Sequence, residues 1–204
     1  MAAAPATARK PRLDELVDRI QAAYDGLDSL QADFAQRLES VALGAPQEES
    51  GRLFLQRPGR MRWEYVEPEE KLAVVDGERS WLYIPAENQA ILGTMAEVTD
   101  SGAAGLLLAG RVDLRRDFRI EPLDDPDEPG LASLRLVPRE PTEEFASIDL
   151  TVGLEDLLPV RIVVRGQLGD VMEYRLRNVR TGVPLDPDLF RFEPPPGVDL
   201  VLAE

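Results

Sequence analysis

The chain has no cysteine and no histidine among its 204 residues. The first absence removes disulfides, thiolate nucleophiles, cysteine metal sites and thioether lipid anchors. Together the two remove the common zinc centres, Ser-His-Asp triads and Cys-His pairs. Catalysis would have to rest on carboxylates, Lys, Arg, Ser or Tyr. No apolar run approaches the roughly 18 residues that cross a bilayer as a helix. No GxGxxG, P-loop or EF-hand loop occurs, so nucleotide and calcium binding have no motif behind them. Positive charge is short as well: 23 Lys and Arg stand against 38 Asp and Glu, a net charge of -15. That field repels phosphate backbones and anionic headgroups, local basic patches excepted, so nucleic acid is not an expected partner.

At this length about 70% of the unfolded surface can be buried, and neither a metal nor a disulfide is needed for stability. Nothing in the composition marks a boundary, and residues 1–204 read as one domain. The opening "MAAAPATARKPR" lacks the apolar region of a signal peptide. Its small residues and prolines suit either the stretch after a cleavage site, with the signal peptide removed and Met1 added, or an ordinary terminus. Residues 1–10 are expected to be disordered in both cases.

From Pro11 to Leu27 apolar residues recur at three and four, predicting an amphipathic helix. The period then drops to two. Strands are expected at Leu30–Ser40, Glu49–Arg57, Gly59–Val66, Leu72–Val75, Arg79–Tyr83 and Gln89–Leu92. Pro58 and Gly59 predict a turn between the second and third, and Asp76-Gly77 a two-residue hairpin. Residues 94–112 lose the alternation, gather Leu106, Leu107 and Leu108, and carry several glycines that weaken a helix by about 1 kcal/mol each. They predict short, weakly held helices. Further strands follow at Asp117–Pro122, Ala132–Pro138, Phe145–Val152, Pro159–Gly166 and Met172–Val179, then a turn at Asp186–Leu189. The fold class expected is α+β, mainly β: a meandering antiparallel sheet with one long helix and a helical interruption. So little helix leaves two readings of the dry face, a filled sandwich or a curved sheet around a cavity.

Paired carboxylates such as Glu69-Glu70, Asp124-Asp125 and Glu143-Glu144 lie in turn-like stretches and read as solvated loops. The distinctive surface is apolar. Leu53, Leu55, Met61, Trp63, Tyr65 and Leu72 are placed on one face, with Leu106, Leu107 and Leu108 available to close over it; an ordinary core would look the same.

The run "GRLFLQRPGRMRWEYVEPEEKLAVVDGERSWLYIPAENQA", preceded by "LQADFAQ" and followed at the end by "LFRFEPPPGVDLV", resembles the periplasmic outer-membrane lipoprotein carrier family over nearly all of Leu13–Val201. The resemblance implies an unclosed antiparallel half β-barrel of about 11 strands, with residues 94–112 as a helical lid over an apolar cavity. It implies a monomeric periplasmic carrier, not an enzyme, with no cofactor and no metal. Triacylated lipoproteins would be taken from an inner-membrane lipoprotein-releasing ABC transporter and passed to an outer-membrane lipoprotein receptor. Arg57 matches the family's lid latch. The implied acyl-chain cavity and lid comprise Phe34, Leu53, Leu55, Met61, Trp63, Tyr65, Leu72, Leu106, Leu107 and Leu108. Arg52, Arg57, Arg60 and Arg62 would stand at the rim, or simply form the wet face of their strands. A lipoprotein-sensing module or a carrier of free phospholipid would also need an apolar cavity.

Overall fold

The computed structural model describes residues 12–40, 42–93, 102–108, 112–124 and 128–203. The predicted residues 1–10 and the parts of the predicted lid at 94–101 and 109–111 lie outside that set. The amphipathic period produces α1 (Leu13–Asp25), whose Leu16, Val17, Ile20 and Tyr24 are buried. A long meander follows: β1 (Ser29–Glu39), β2 (Gln47–Gln56), β3 (Arg60–Glu67), β4 (Lys71–Val75), β5 (Ser80–Ile84) and β6 (Gln89–Gly93). Helices α2 (Gly102–Leu108) and α3 (Leu114–Asp117) interrupt it. Then come β7 (Phe118–Pro122), β8 (Leu131–Pro138), β9 (Ser147–Gly153), β10 (Pro159–Arg165), β11 (Val171–Thr181) and, at the end, β12 (Asp199–Leu202).

These form one sheet in the order β12-β6-β5-β4-β3-β2-β1-β11-β10-β9-β8-β7. The first and last strands of that order do not pair, so the barrel stays open. Curvature has a local source. Register shifts interrupt β1 against β11, β2 against β3 and β9 against β10, and such bulges bend and twist a strand.

The open sheet of about eleven strands is borne out, with twelve strands among the described residues; the additional one, β12, runs parallel to β6, so the sheet is antiparallel everywhere except at that edge. Its four residues follow "EPPPG", which conceals so short a strand. Asp76-Gly77 does not make a two-residue hairpin: Val75 pairs with Ser80 across a four-residue loop. The Asp76 carboxylate accepts the backbone N–H groups of Glu78 and Arg79, both at 2.8 Å, which stabilises the wider turn.

The two faces differ in covering. The concave face packs with α1 into one cluster. On the convex face, β8 to β2 carry ion pairs such as Arg135–Asp149 and Arg161–Glu173. β4 and β5 carry apolar side chains on both sides, and the chain beyond the 3-10 turn Pro187–Phe190 lies against β5. Phe192 packs against Trp81 and Tyr83 at ring distances of 5.6 and 5.5 Å. Arg62 Nη1 donates to the Leu189 carbonyl at 3.0 Å.

Gly51 marks the tightest point of the β2–β3 bulge. A Cβ there would sit 1.8 Å from the Glu64 carbonyl oxygen and 3.0 Å from Phe34 Cε1. Gly51→Ala is therefore expected to destabilise the fold by about 1–3 kcal/mol, the usual penalty of overpacking, read as a lower urea midpoint. An unchanged midpoint would show that this bulge is not rigid.

Candidate functional site: the concave face and its closing helix

Strand register determines which side chains share the concave face. Leu53 pairs with Trp63, Leu55 with Met61, Trp63 with Ala73 and Met61 with Val75, and directly opposed residues project to the same side. Phe34 makes edge-on contacts with Trp63 at 4.9 Å and Tyr65 at 5.1 Å, and Trp63 leans on Tyr174 at 5.6 Å. Phe34, Leu53, Leu55, Met61, Trp63 and Tyr65 are at most 6% exposed and belong to one packed cluster. Leu72 does not join them. It pairs with Glu64 and Tyr83, which puts it on the convex face near the aromatics under Phe192. Sequence alternation places it wrongly because β3 and β4 are joined by a turn whose length, Pro68 to Glu70, sets the register.

Helix α2 closes the concavity. Ala104, Leu107 and Leu108 are at most 1% exposed and lie in the same cluster as Trp63 and Tyr174; the side chain of Leu106 lies outside the described residues. The other three are buried in one cluster with the concave face in this state. The chain just beyond is tied to α1: Arg115 reaches Asp18 at 2.7 Å and Asp14 at 3.2 Å, and the Leu114 N–H donates to Gln21 Oε1 at 2.8 Å. Asp113 caps α3 by accepting from the backbone of Arg115 and Arg116. Helix α2 is only seven residues long, below the length at which helices hold themselves.

Arg57 sits in the turn between β2 and β3, where its N–H donates to the Asp28 carbonyl at 2.9 Å. Its Nε and Nη2 are buried without a hydrogen-bond partner, as are the Tyr24 hydroxyl and Gln56 Oε1. Burial lowers the Arg57 pKa, opposed by Asp25, Tyr24 and Asp28, and burial raises that of Tyr24, opposed by Arg57. Each buried donor left unmade costs about 1–3 kcal/mol. No described lid carbonyl accepts from Arg57, whereas the latch expectation needs one.

Residues 25–193 match the family described as "Outer membrane lipoprotein carrier protein LolA". An outer-membrane lipoprotein carrier protein from Methylococcus capsulatus is 36% identical over 184 residues, 89% of this chain and 85% of its own length. One from Alkalilimnicola ehrlichii is 35% identical over 88% of this chain and 80% of its own. The chain belongs to the outer-membrane lipoprotein carrier family. Two solved structures show the same fold at low identity. An uncharacterized conserved protein from Thermus thermophilus has a TM-score of 0.57 at 16% identity, covering 93% of this chain and 98% of that one. A LolA superfamily protein from Nitrosomonas europaea has a TM-score of 0.51 at 14% identity, covering 90% and 99%.

This family member also has a polar end to its concavity that sequence reading missed. Gln36, 4% exposed, occupies the inward slot after Phe34. It accepts from the Tyr65 hydroxyl at 3.4 Å and donates to Glu49 Oε2 at 3.2 Å. Lys71 pairs with Glu49 and stands 4.6 Å from the Tyr65 ring centroid. The available signal was a polar residue continuing the inward series Leu30, Ala32, Phe34. Among the described residues no group of three or more acidic side chains is placed to hold a metal.

Because the chain lacks cysteine, a single introduced thiol reports on α2 alone. Leu108→Cys is expected to be protected from a thiol reagent in the empty protein. Under loading with a long-chain acyl ligand its labelling rate should rise at least tenfold. Equal rates in both states would mean that α2 stays seated.

Proposed function

We propose that this chain is a periplasmic carrier that hides the acyl chains of triacylated lipoproteins. It takes them from an inner-membrane lipoprotein-releasing ABC transporter and hands them to an outer-membrane lipoprotein receptor, working as a monomer and making or breaking no covalent bond. The family is one of carriers rather than enzymes, and its curated members are named for outer-membrane lipoproteins. The described helices include none long and apolar enough to cross a membrane. The observation that carries the reading is the burial of Leu107 and Leu108, on a short helix packed against β10, in the same apolar cluster as the aromatic concave wall.

Magnitudes favour exchange. Unseating two leucines exposes side chains worth about 1.5–3 kcal/mol each, or roughly 3–6 kcal/mol together. At about 0.8 kcal/mol per buried CH₂, about four to eight methylenes of an acyl chain offset that. A longer chain leaves a surplus that holds the cargo, while the displaced helix keeps the net affinity low enough for release. Arg57 is the candidate latch: its buried Nε and Nη2, which meet no described lid carbonyl, are the donors that a latch would use.

Incubating the protein with spheroplasts that carry labelled lipoproteins should yield a soluble complex containing triacylated lipoprotein. Recovery of phospholipid alone would overturn the reading. In the same assay Arg57→Leu should retain cargo and pass on less of it; onward transfer at the normal rate would remove the latch role from Arg57.

A further inference from the structure

The polar groups at the end of the concave wall form a bar across the sheet. Pairing sets Tyr174, Gln36 and Glu49 side by side on β11, β1 and β2, and Lys71 reaches Glu49 from β4. Tyr174, 0% exposed, takes up the β11 side at the level of Gln36. Tyr65, paired with Lys71, donates its O–H to Gln36 Oε1 at 3.4 Å. Gln36 Nε2 donates to Glu49 Oε2 at 3.2 Å, so the amide is used both as acceptor and as donor.

The two sides of this bar differ in kind. On one side the inward residues Leu30, Ala32 and Phe34 of β1 are at most 3% exposed and share a cluster with Trp63. On the other lies a recess of about 440 Å³ whose lining includes Gln36 and Glu49 together with Arg37, Glu48, Glu67 and Arg175. Hydrocarbon pushed past the bar would lie among charges. Within the bar the members are not equally sensitive. Glu49 and Lys71 keep their side chains 19% and 23% exposed, whereas Gln36 is 4% exposed and has little access to water if its two partners are displaced. A buried amide stripped of its hydrogen bonds is the costlier loss.

The apolar track along β1 is therefore finite. From Leu30 to Gln36 the strand advances six residues, about 20 Å at about 3.4 Å per residue. An extended hydrocarbon with carbon–carbon bonds of about 1.52 Å at about 111° advances about 1.25 Å per methylene, so about 16 carbons span the track. We propose that Gln36 is a specificity-determining residue that sets the longest acyl chain this wall accepts, at about 16 carbons. The inference rests on the carrier reading and adds to it a chain-length class for the cargo.

The test titrates the full chain, holding a fluorescent fatty acid, with saturated fatty acids of about 12 to about 20 carbons, each kept below its micelle concentration, and follows displacement. Affinity is expected to climb about fourfold per methylene to about 16 carbons and then to stop rising. In Gln36→Met, whose side chain is of similar length, flexible and without an amide, the climb should continue. The ratio of affinities for chains of about 20 and about 16 carbons should then be at least tenfold above that of the parent. Gln36→Asn, which keeps an amide, should retain the break. The parent series needs no variant and decides the matter even where Gln36→Met does not fold. An unbroken climb in the parent, an unchanged ratio in folded Gln36→Met, or loss of the break in Gln36→Asn would each overturn the chain-length role and leave the carrier reading standing. A parent chain that binds no fatty acid of any length would overturn the carrier reading and this role with it.

Discussion

An open sheet cannot cover its own concave face, and the rest of the molecule follows from how that face is covered. Closure into a full barrel would satisfy every edge and seal the interior. Here β12 and β7 stay apart, and Trp63, Tyr174, Phe34 and their neighbours need a cover from outside the sheet. Helix α1 supplies a permanent part of it: thirteen residues long, with Leu16, Val17, Ile20 and Tyr24 buried. Helix α2 supplies the rest on seven residues. The difference in length matters because a short helix draws nearly all its stability from what it touches. If the contacts of Leu107 and Leu108 are replaced by another apolar body, little remains to keep α2 in place, and the ties of Arg115 to Asp14 and Asp18 hold only its far connection.

The convex face solves the same covering problem without exchange. Where β4 and β5 are apolar on both sides, the terminal segment lies against Trp81 and Tyr83 of β5 with Phe192, and β12 joins the sheet beside β6. Where the strands carry arginine and carboxylate, the face is left to solvent. A carrier that opens on one side benefits from this division, since the strands behind the aromatic wall stay fixed while the wall changes what it touches.

Most of this was legible from spacing. The period of two from Leu30 onward, the proline-glycine turn at Pro58 and the leucine cluster near 106–108 placed the strands, the first turn and the closing helix, and the quoted run from Gly51 to Ala90 carried the family. What spacing could not supply was register between strands. Leu72 and Val74 alternate with Ala73 and Val75 in a segment that is apolar throughout, so the sequence contains no sign of which pair faces inward. Only pairing with Glu64 and Arg62 decides it. The same applies to Gln36 and Glu49, which lie thirteen positions apart and become neighbours through a hairpin. The twelfth strand escaped because parallel pairing with β6 spans more than a hundred residues and leaves no local trace.

Register also explains why the concavity ends where it does. The inward series of β1 runs Leu30, Ala32, Phe34 and then Gln36, and β2 and β4 meet that last position with Glu49 and Lys71. A hydrocarbon chain lying along the wall gains from each methylene until it reaches Gln36. Beyond that it would have to separate a buried amide from Tyr65 and Glu49, or a lysine from its carboxylate, and leave polar groups unpaired at about 1–3 kcal/mol each. That penalty exceeds the gain from one further CH₂ of about 0.8 kcal/mol. Under the proposed carrier function the polar cluster would act as a floor, confining an apolar occupant between it and the position of α2.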